Sequence, residues 1–206
     1  MGDFFAFFSE HIGLALLLIA FAVLALFVLV KAGRAFSKRS AENNRIIAKL
    51  EADTKLRKEF ENLTPELAKS AQPEKLFKGV ALNLCRRIEK AENILEEFNS
   101  LNDCQKEIYS LYFVFEDGGE TLSEFFKING KPLTEYALGI VKKIYPAELS
   151  GIFESEYDAY DSDNETASLI ADKIAKEDAQ FKKLTENTDI FAPAAEYIIS
   201  NINSFI

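Results

Sequence analysis

The sequence predicts an all-α protein in which one N-terminal transmembrane helix precedes a multi-helix domain in the cytoplasm. An uncharged apolar run fills residues 12–30, basic residues follow it directly, and most of the remaining chain repeats apolar residues at three- and four-residue steps. There is no convincing strand or hairpin pattern. We therefore expect an extracytoplasmic segment (1–11), the transmembrane helix (12–30), a juxtamembrane segment with a helical stalk (31–63) and an acidic helical domain (64–206).

The transmembrane helix is predicted from Ile12 to Val30, 19 consecutive residues without a charged or hydrogen-bonding side chain. Fourteen of them are Leu, Ile, Val or Phe, and at about 0.3 to 0.6 kcal/mol each these favour insertion by roughly 4 to 8 kcal/mol. A helix of this length is roughly 28 Å long, close to the ~30 Å thickness of the hydrocarbon core. The lipid bilayer is thus the first predicted partner.

The charges on either side of the run predict its orientation. Only Asp3, Glu10 and His11 are ionisable before it, whereas basic residues flank its far end: Lys31, Arg34, Lys38 and Arg39. The positive-inside rule places such an end in the cytoplasm, so the N-terminus is predicted outside the cell membrane. A cleaved signal peptide is the alternative, but it has a basic start and a shorter apolar core.

The composition of the chain limits its partners. The net charge is −9, and residues 40–206 keep 20 basic and 31 acidic residues, a net charge of −11. Direct binding of DNA or RNA through phosphates requires the opposite field and is not predicted. A protein partner is predicted instead, and a basic one suits this charge best.

The stretch from Ser40 to Leu63 predicts the first helix after the membrane. It lacks Gly and Pro and carries a thin apolar stripe that includes Ile46, Ile47 and Leu50. Its heptad pattern is interrupted, so a sustained coiled coil is not predicted. It is either a stalk or the packed first helix of the domain. The run Thr64-Pro65-Glu66 then predicts a helix start.

The clearest helix is predicted from Pro73 to about Asn99. Its inner face is predicted from eight apolar residues, namely Phe77, Val80, Ala81, Leu84, Ile88, Ala91, Leu95 and Phe98. Asn102 and Gln105 have the spacing of a capping box and open a central helix. We expect that helix to end at Gly118-Gly119, in the left-handed conformation that glycine tolerates.

The rest of the chain predicts further short helices. Thr121 and Glu124 have capping-box spacing, and Asn129-Gly130 closes the helix that they open. Pro132 begins the next helix, which ends before Pro146. The remaining apolar patterns predict a ridge of Ile152, Phe153, Tyr157 and Tyr160, a helix over 164–184 and a last helix over 193–205.

Residues 101–160 carry a short motif formed by Glu116, Gly118, Gly119, Phe125, Phe126 and Asn129. This pattern resembles the DMP19-like family, also called the DUF4375 domain, although Glu120 stands where the family usually has an aromatic residue. The resemblance implies a helical fold. A founding member is regarded as an acidic DNA mimic that binds DNA-binding proteins, and most members imply no known activity.

The most concentrated charge in the chain is an acidic run formed by Glu154, Glu156, Asp158, Asp161, Asp163 and Glu165. Asp161, Asp163 and Glu165 have the alternate spacing of a calcium loop, but Thr166 replaces the required Gly and Asp172 the usual Glu. No metal site is therefore predicted. The run is either a solvated loop with helix-capping acids or an acidic docking patch for a basic partner.

No catalytic or cofactor motif is found. His11 is the only histidine and lies at the outer membrane boundary, which excludes a histidine-dependent site in the domain. Cys85 and Cys104 are predicted to be small buried hydrophobes without a disulfide, because the cytoplasm is reducing. Chemistry by either thiol with a Lys or Asp neighbour stays open.

Three functions follow from these patterns. The first is a single-pass, membrane-anchored, non-enzymatic protein-interaction module, such as an adaptor, regulator or assembly subunit. The second is an enzyme of unrecognised type, which requires a deep pocket with convergent polar groups. The third is an acidic nucleic-acid mimic that binds a basic protein, whose carboxylates would be spaced like phosphates.

Overall fold

The protein is all-α, as predicted. A computed structural model describes residues 42–119, 121–162 and 169–206, with 161 and 162 described by their backbone alone. These residues form about ten helices and no strand. None of the helices in these ranges is long and apolar enough to cross a membrane. The predicted transmembrane helix, 12–30, lies outside the described residues.

The chain divides into two compact units, Met1–Ala52 and Asp53–Ile206. Helix α1, residues 42–59, begins in the first unit and ends in the second. Within the second unit, Leu56 packs against the hydrophobic core and Phe60 is buried. The end of α1 is therefore a packed helix. In the first unit, residues 42–52 are all exposed, and they include the predicted apolar stripe.

The described residues of the second unit form nine further helices. They are α2 (Pro65–Ser70), α3 (Pro73–Glu89), α4 (Ile94–Ser100), α5 (Asp103–Asp117), α6 (Leu122–Ile128), α7 (Leu133–Ile144), α8 (Ala147–Ser162), α9 (Ala171–Asn187) and α10 (Phe191–Ser200). A short 3-10 helix, Ile202–Ser204, follows α10. The predicted helices over 164–184 and 193–205 thus correspond to α9 and α10, with shifted boundaries.

Helix α5 lies at the centre of this unit, as its broad apolar surface predicts. It packs against α3, α6 and α7, while α10 packs on α2, α3 and α7. Helices α8 and α9 pack on α6 and on each other. The largest fully buried side chains come from α3, α5, α6, α7, α8 and α10, and include Phe77, Ile108, Leu111, Leu122, Phe125, Ile140, Phe153 and Ile198. Phe125 and Phe126 are therefore core residues.

Two predicted helix starts are confirmed by their hydrogen bonds. The Thr64 hydroxyl accepts from the Leu67 N–H at 3.2 Å. Asn102 and Gln105 form the reciprocal capping box, with the Gln105 N–H donating to Asn102 Oδ1 at 3.0 Å and the Asn102 N–H donating to Gln105 Oε1 at 3.2 Å. Local side-chain spacing determined both starts.

The predicted continuous helix from Pro73 to Asn99 is wrong, because the chain breaks between Glu89 and Ile94. Asn93 is extended, and its side-chain oxygen accepts from the Leu95 N–H at 3.1 Å and the Glu96 N–H at 3.3 Å. The first N–H groups of a helix have no carbonyl acceptor within it, and a short polar side chain such as that of Asn93 accepts from them instead and starts a new helix. The new direction leaves Leu95 exposed and buries Phe98 against α5 and α7.

The predicted left-handed ending at the glycine pair is also wrong. Gly118 ends α5 with φ −90°, and no described glycine has a positive φ. Glycine is required there for space instead. A Cβ on Gly118 would lie 2.5 Å from the Val114 carbonyl oxygen and 3.3 Å from Phe125 Cβ. The clash is with the last turn of α5 itself, and Phe125 of α6 adds a second tight contact, so this helix end selects glycine.

Candidate functional site

The side chains predicted to flank the membrane, Lys31, Arg34, Lys38 and Arg39, lie outside the described residues. Of the acidic run, Glu154, Glu156 and Asp158 are described on α8, whereas the side chain of Asp161 and the whole of Asp163 and Glu165 lie outside. The candidate functional residues in the described part of the chain are therefore the first half of the acidic run and polar groups that the sequence patterns did not indicate.

The described half of the acidic run does not form a single surface. Glu154 makes an ion pair with Lys142 of α7, and Asp158 is exposed. Glu156 is fully buried, because its position on α8 faces α6 and α9. A buried carboxyl group cannot meet a docking partner, so Glu156 does not contribute to a patch. The acidic docking patch stays a prediction for the other five residues.

Glu156 is enclosed without a hydrogen-bond partner for either carboxyl oxygen. Burial, together with the neighbouring charges of Asp178 and Glu177, raises its pKa to about 9. Lys127 opposes this shift and lowers the pKa by a smaller amount. The group is therefore neutral at pH 7. In the ranges that the structure covers, no three His, Cys, Asp or Glu side chains are placed to hold a metal ion.

Asp178 of α9 caps α6 from a distance of 55 residues along the chain. Its Oδ1 accepts from the Ser123 N–H at 2.9 Å, and its Oδ2 accepts from the Ser123 hydroxyl at 2.8 Å. The predicted box of Thr121 and Glu124 is not formed, since Thr121 makes no side-chain cap. A carboxylate at a helix N-terminus also favours the helix dipole, so Asp178 satisfies the donors that Thr121 leaves open.

The two cysteines differ in their surroundings. Cys85 is buried in α3, and burial together with Glu89 and Glu116 raises its pKa to about 12. Its thiol stays protonated at neutral pH and is a poor nucleophile. It behaves as the small buried hydrophobe that was predicted. Cys104 is only partly buried, at the start of α5.

Cys104 belongs to a polar cluster that joins α5, α7 and α10. The Tyr197 hydroxyl lies 3.3 Å from Cys104 Sγ and donates to Glu107, whose other oxygen accepts from Lys143. Burial raises the pKa of Tyr197, so this hydroxyl stays protonated. Glu107 is buried with 5% exposure. Its lone pairs are occupied on both oxygens, which suits a structural junction between three helices.

Three apolar side chains project into solvent from the first unit. Ile46 and Ile47 are each 53% exposed and Leu50 is 60% exposed. Their spacing places them on one face of α1, where residues three and four apart are neighbours. This stripe, Ile46, Ile47 and Leu50, is called the α1 stripe below.

Comparison with known proteins gives no match. No family model, no curated protein and no solved structure is similar to this chain. The resemblance of residues 101–160 to the DMP19-like family therefore stays a prediction.

Proposed function

We propose that this chain is a single-pass membrane protein whose helical part binds another protein beneath the membrane, as an adaptor, regulator or assembly subunit. The α1 stripe is the observation that carries the proposal. Three large apolar side chains, each more than half exposed, lie on one helical face. Apolar faces of this kind mark protein–protein contacts when they are contiguous.

The position of the stripe supports the same proposal. It lies between the predicted transmembrane helix and the packed second unit, at residues 46–50. A helix that enters a groove of its partner presents apolar residues at three- and four-residue spacing. Residues 42–52 supply this spacing and otherwise carry charged or polar side chains and alanines. The predicted membrane tether would keep such a helix near a membrane-bound partner.

Affinity purification of the full-length protein from mild detergent, with partners identified by mass spectrometry, tests the proposal. Ile46→Gln with Leu50→Gln removes two of the three side chains of the α1 stripe without a helix breaker. Ala48→Gln on the opposite face is the matched control. We expect a specific partner with the native protein and the control but not with the stripe variant. The absence of any reproducible partner from the native protein would contradict the proposal.

An enzyme of unrecognised type is the second candidate, and the Cys104 cluster favours it. A partly buried thiol lies beside the Tyr197 hydroxyl, which donates to the buried Glu107, so a nucleophile and two polar groups meet at one place. Alkylation of Cys104 by iodoacetamide, followed across pH, separates the two candidates. Rapid alkylation of the native protein at neutral pH, at a rate that changes in the Tyr197→Phe variant, indicates an activated thiol. Slow alkylation of both the native protein and the variant indicates a structural junction.

A further inference from the structure

An open cleft of about 190 Å³ lies in the second unit, between α3, the end of α5, α9 and the start of α10. Its apolar lining is Phe115, Phe181, Ile190 and Phe191. The pair Phe115 and Phe191 is held edge to face with ring centroids 5.8 Å apart, and both rings pack on the buried Phe77. The floor of the cleft is therefore continuous with the hydrophobic core and is rigid in character.

One wall of the cleft is backbone rather than side chain, because Gly118 and Gly119 line it. Neither glycine is required by a left-handed conformation. A Cβ on Gly119 would lie 3.1 Å from the Phe115 carbonyl oxygen. Absent side chains at both positions leave the aromatic floor accessible from solvent.

The polar groups at the rim leave negative charge available. Lys78 is already paired with Glu74 at 2.8 Å, and its ammonium lies 5.3 Å from the centre of the Phe191 ring. Glu186 is exposed and has no ion pair in the described part of the chain. Asp189, next to the lining residue Ile190, accepts from the Phe191 and Ala192 N–H groups and carries a second charge there.

We infer that this cleft receives an aromatic or branched apolar side chain from a basic segment of a protein partner. The inference rests on the proposed interaction function and names the chemistry of the partner. The volume is sufficient, since an engineered apolar cavity of about 150 Å³ holds benzene. A basic residue beside the apolar anchor would pair with Glu186, which has no ion pair among the residues that the structure describes.

The chemistry of the cleft disfavours other occupants. An acidic segment would meet Glu116 and Glu186 in the lining of the cleft, with Asp189 next to the lining residue Ile190 in the sequence. A polar small molecule would find few oriented groups, because the Thr185 hydroxyl donates within its own helix, toward Phe181 and Lys182. Lys182 is exposed one turn before Glu186 and moderates the negative field without forming an ion pair with it. An apolar anchor with a basic neighbour satisfies both the floor and the rim.

A labelled synthetic peptide tests the inference, in which one Phe is flanked on each side by Arg and Lys. Its affinity for the full-length protein is measured by fluorescence anisotropy at low and high salt. We expect Phe→Ala in the peptide to weaken binding about tenfold, because one apolar anchor is lost. Glu186→Lys is expected to weaken binding about threefold or more at low salt, with a smaller effect at high salt.

Glu92→Lys is the matched control, because it makes the same charge change at an exposed residue outside the cleft. Thr185→Phe, which fills the cleft, is a second variant, and its cooperative melting verifies the fold. Equal weakening by Glu92→Lys, or insensitivity to the peptide Phe, would overturn the inference in favour of diffuse electrostatics. Stronger binding of an acidic peptide, or equal binding of free indole, would assign the cleft to another occupant. A partner lost only with the α1 stripe variant would leave the proposed function intact while this inference fails.

Discussion

At the residue scale, Glu156 shows how one buried carboxyl group couples stability to pH. Its two oxygens have no hydrogen-bond partner, and its pKa is raised to about 9 from the ordinary 4.5. Between these two values the folded chain holds a proton that the unfolded chain releases. Stability from this group is therefore fully present below pH 4.5 and is lost progressively as pH rises toward 9.

Glu156→Gln is expected to stabilise the protein, because a neutral amide of the same shape removes this loss. The gain should be under about 1 kcal/mol at pH 5 and on the order of 3 kcal/mol at pH 7, since pH 7 lies about 2.5 units above the ordinary pKa and each unit corresponds to about 1.4 kcal/mol. Urea denaturation at pH 5, 7 and 8.5 measures it. Glu154→Gln, on the surface of the same helix, should show no comparable trend with pH. A destabilised Glu156→Gln protein at pH 8.5 would mean that the carboxyl group has a partner.

Gly118 and Gly151 provide a second residue-scale contrast. A Cβ on Gly118 would lie 2.5 Å from a backbone oxygen, whereas a Cβ on Gly151, inside α8, would have no heavy atom within 4 Å. We expect Gly118→Ala to destabilise by about 1–3 kcal/mol through overpacking. Gly151→Ala should stabilise by about 0.5–1 kcal/mol, because alanine favours a helix. Thermal melting of the two variants side by side measures both effects, and a shift of the same sign in both would contradict the argument.

At the scale of the element, α6 depends on α9 for its N-terminal cap. Ser123→Ala removes the hydrogen bond from the Ser123 hydroxyl to Asp178, and the buried carboxylate then has an acceptor without its donor. We expect a loss of about 1–2 kcal/mol in the free energy of unfolding. Ser150→Ala, whose hydroxyl donates within its own exposed turn, is the control and should change stability by less than about 0.5 kcal/mol. Equal losses in both variants would show that the distant cap contributes nothing.

A helix start is predictable from the sequence when its capping group lies close by along the chain. Thr64 and the box of Asn102 and Gln105 were predictable, because the groups that satisfy those helix ends lie within three residues of one another. The start at Thr121 was not, since its cap comes from Asp178, 55 residues later. The break at Asn93 was missed although Asn is a residue that favours helix starts. The regular apolar spacing on both sides of Asn93 predicted one continuous helix instead.

At the scale of the whole molecule, we propose that the predicted transmembrane helix anchors the protein in a membrane. Leu18→Arg and Leu24→Arg should each disfavour insertion by about 2.5–3.5 kcal/mol. Together they cost roughly 5–7 kcal/mol, comparable with the roughly 4 to 8 kcal/mol that the apolar residues contribute. The native chain is expected to sediment with membranes and to resist extraction at alkaline pH, whereas the doubly substituted chain should be recovered in the supernatant. Recovery of the native chain in the supernatant would contradict the anchor.

The sequence alone predicted the helical class, most helix positions and the separation of an apolar N-terminal run from an acidic helical remainder. These features depend on period, composition and neighbouring side chains, which the linear order contains. Only the tertiary structure decided that Glu156 faces inward and that Asp178 caps α6. It also decided that Tyr197 lies between Cys104 and Glu107, and that Phe115 and Phe191 form the floor of an open cleft. Each of these depends on which helix faces which, and that choice is made by packing between residues that are distant along the chain.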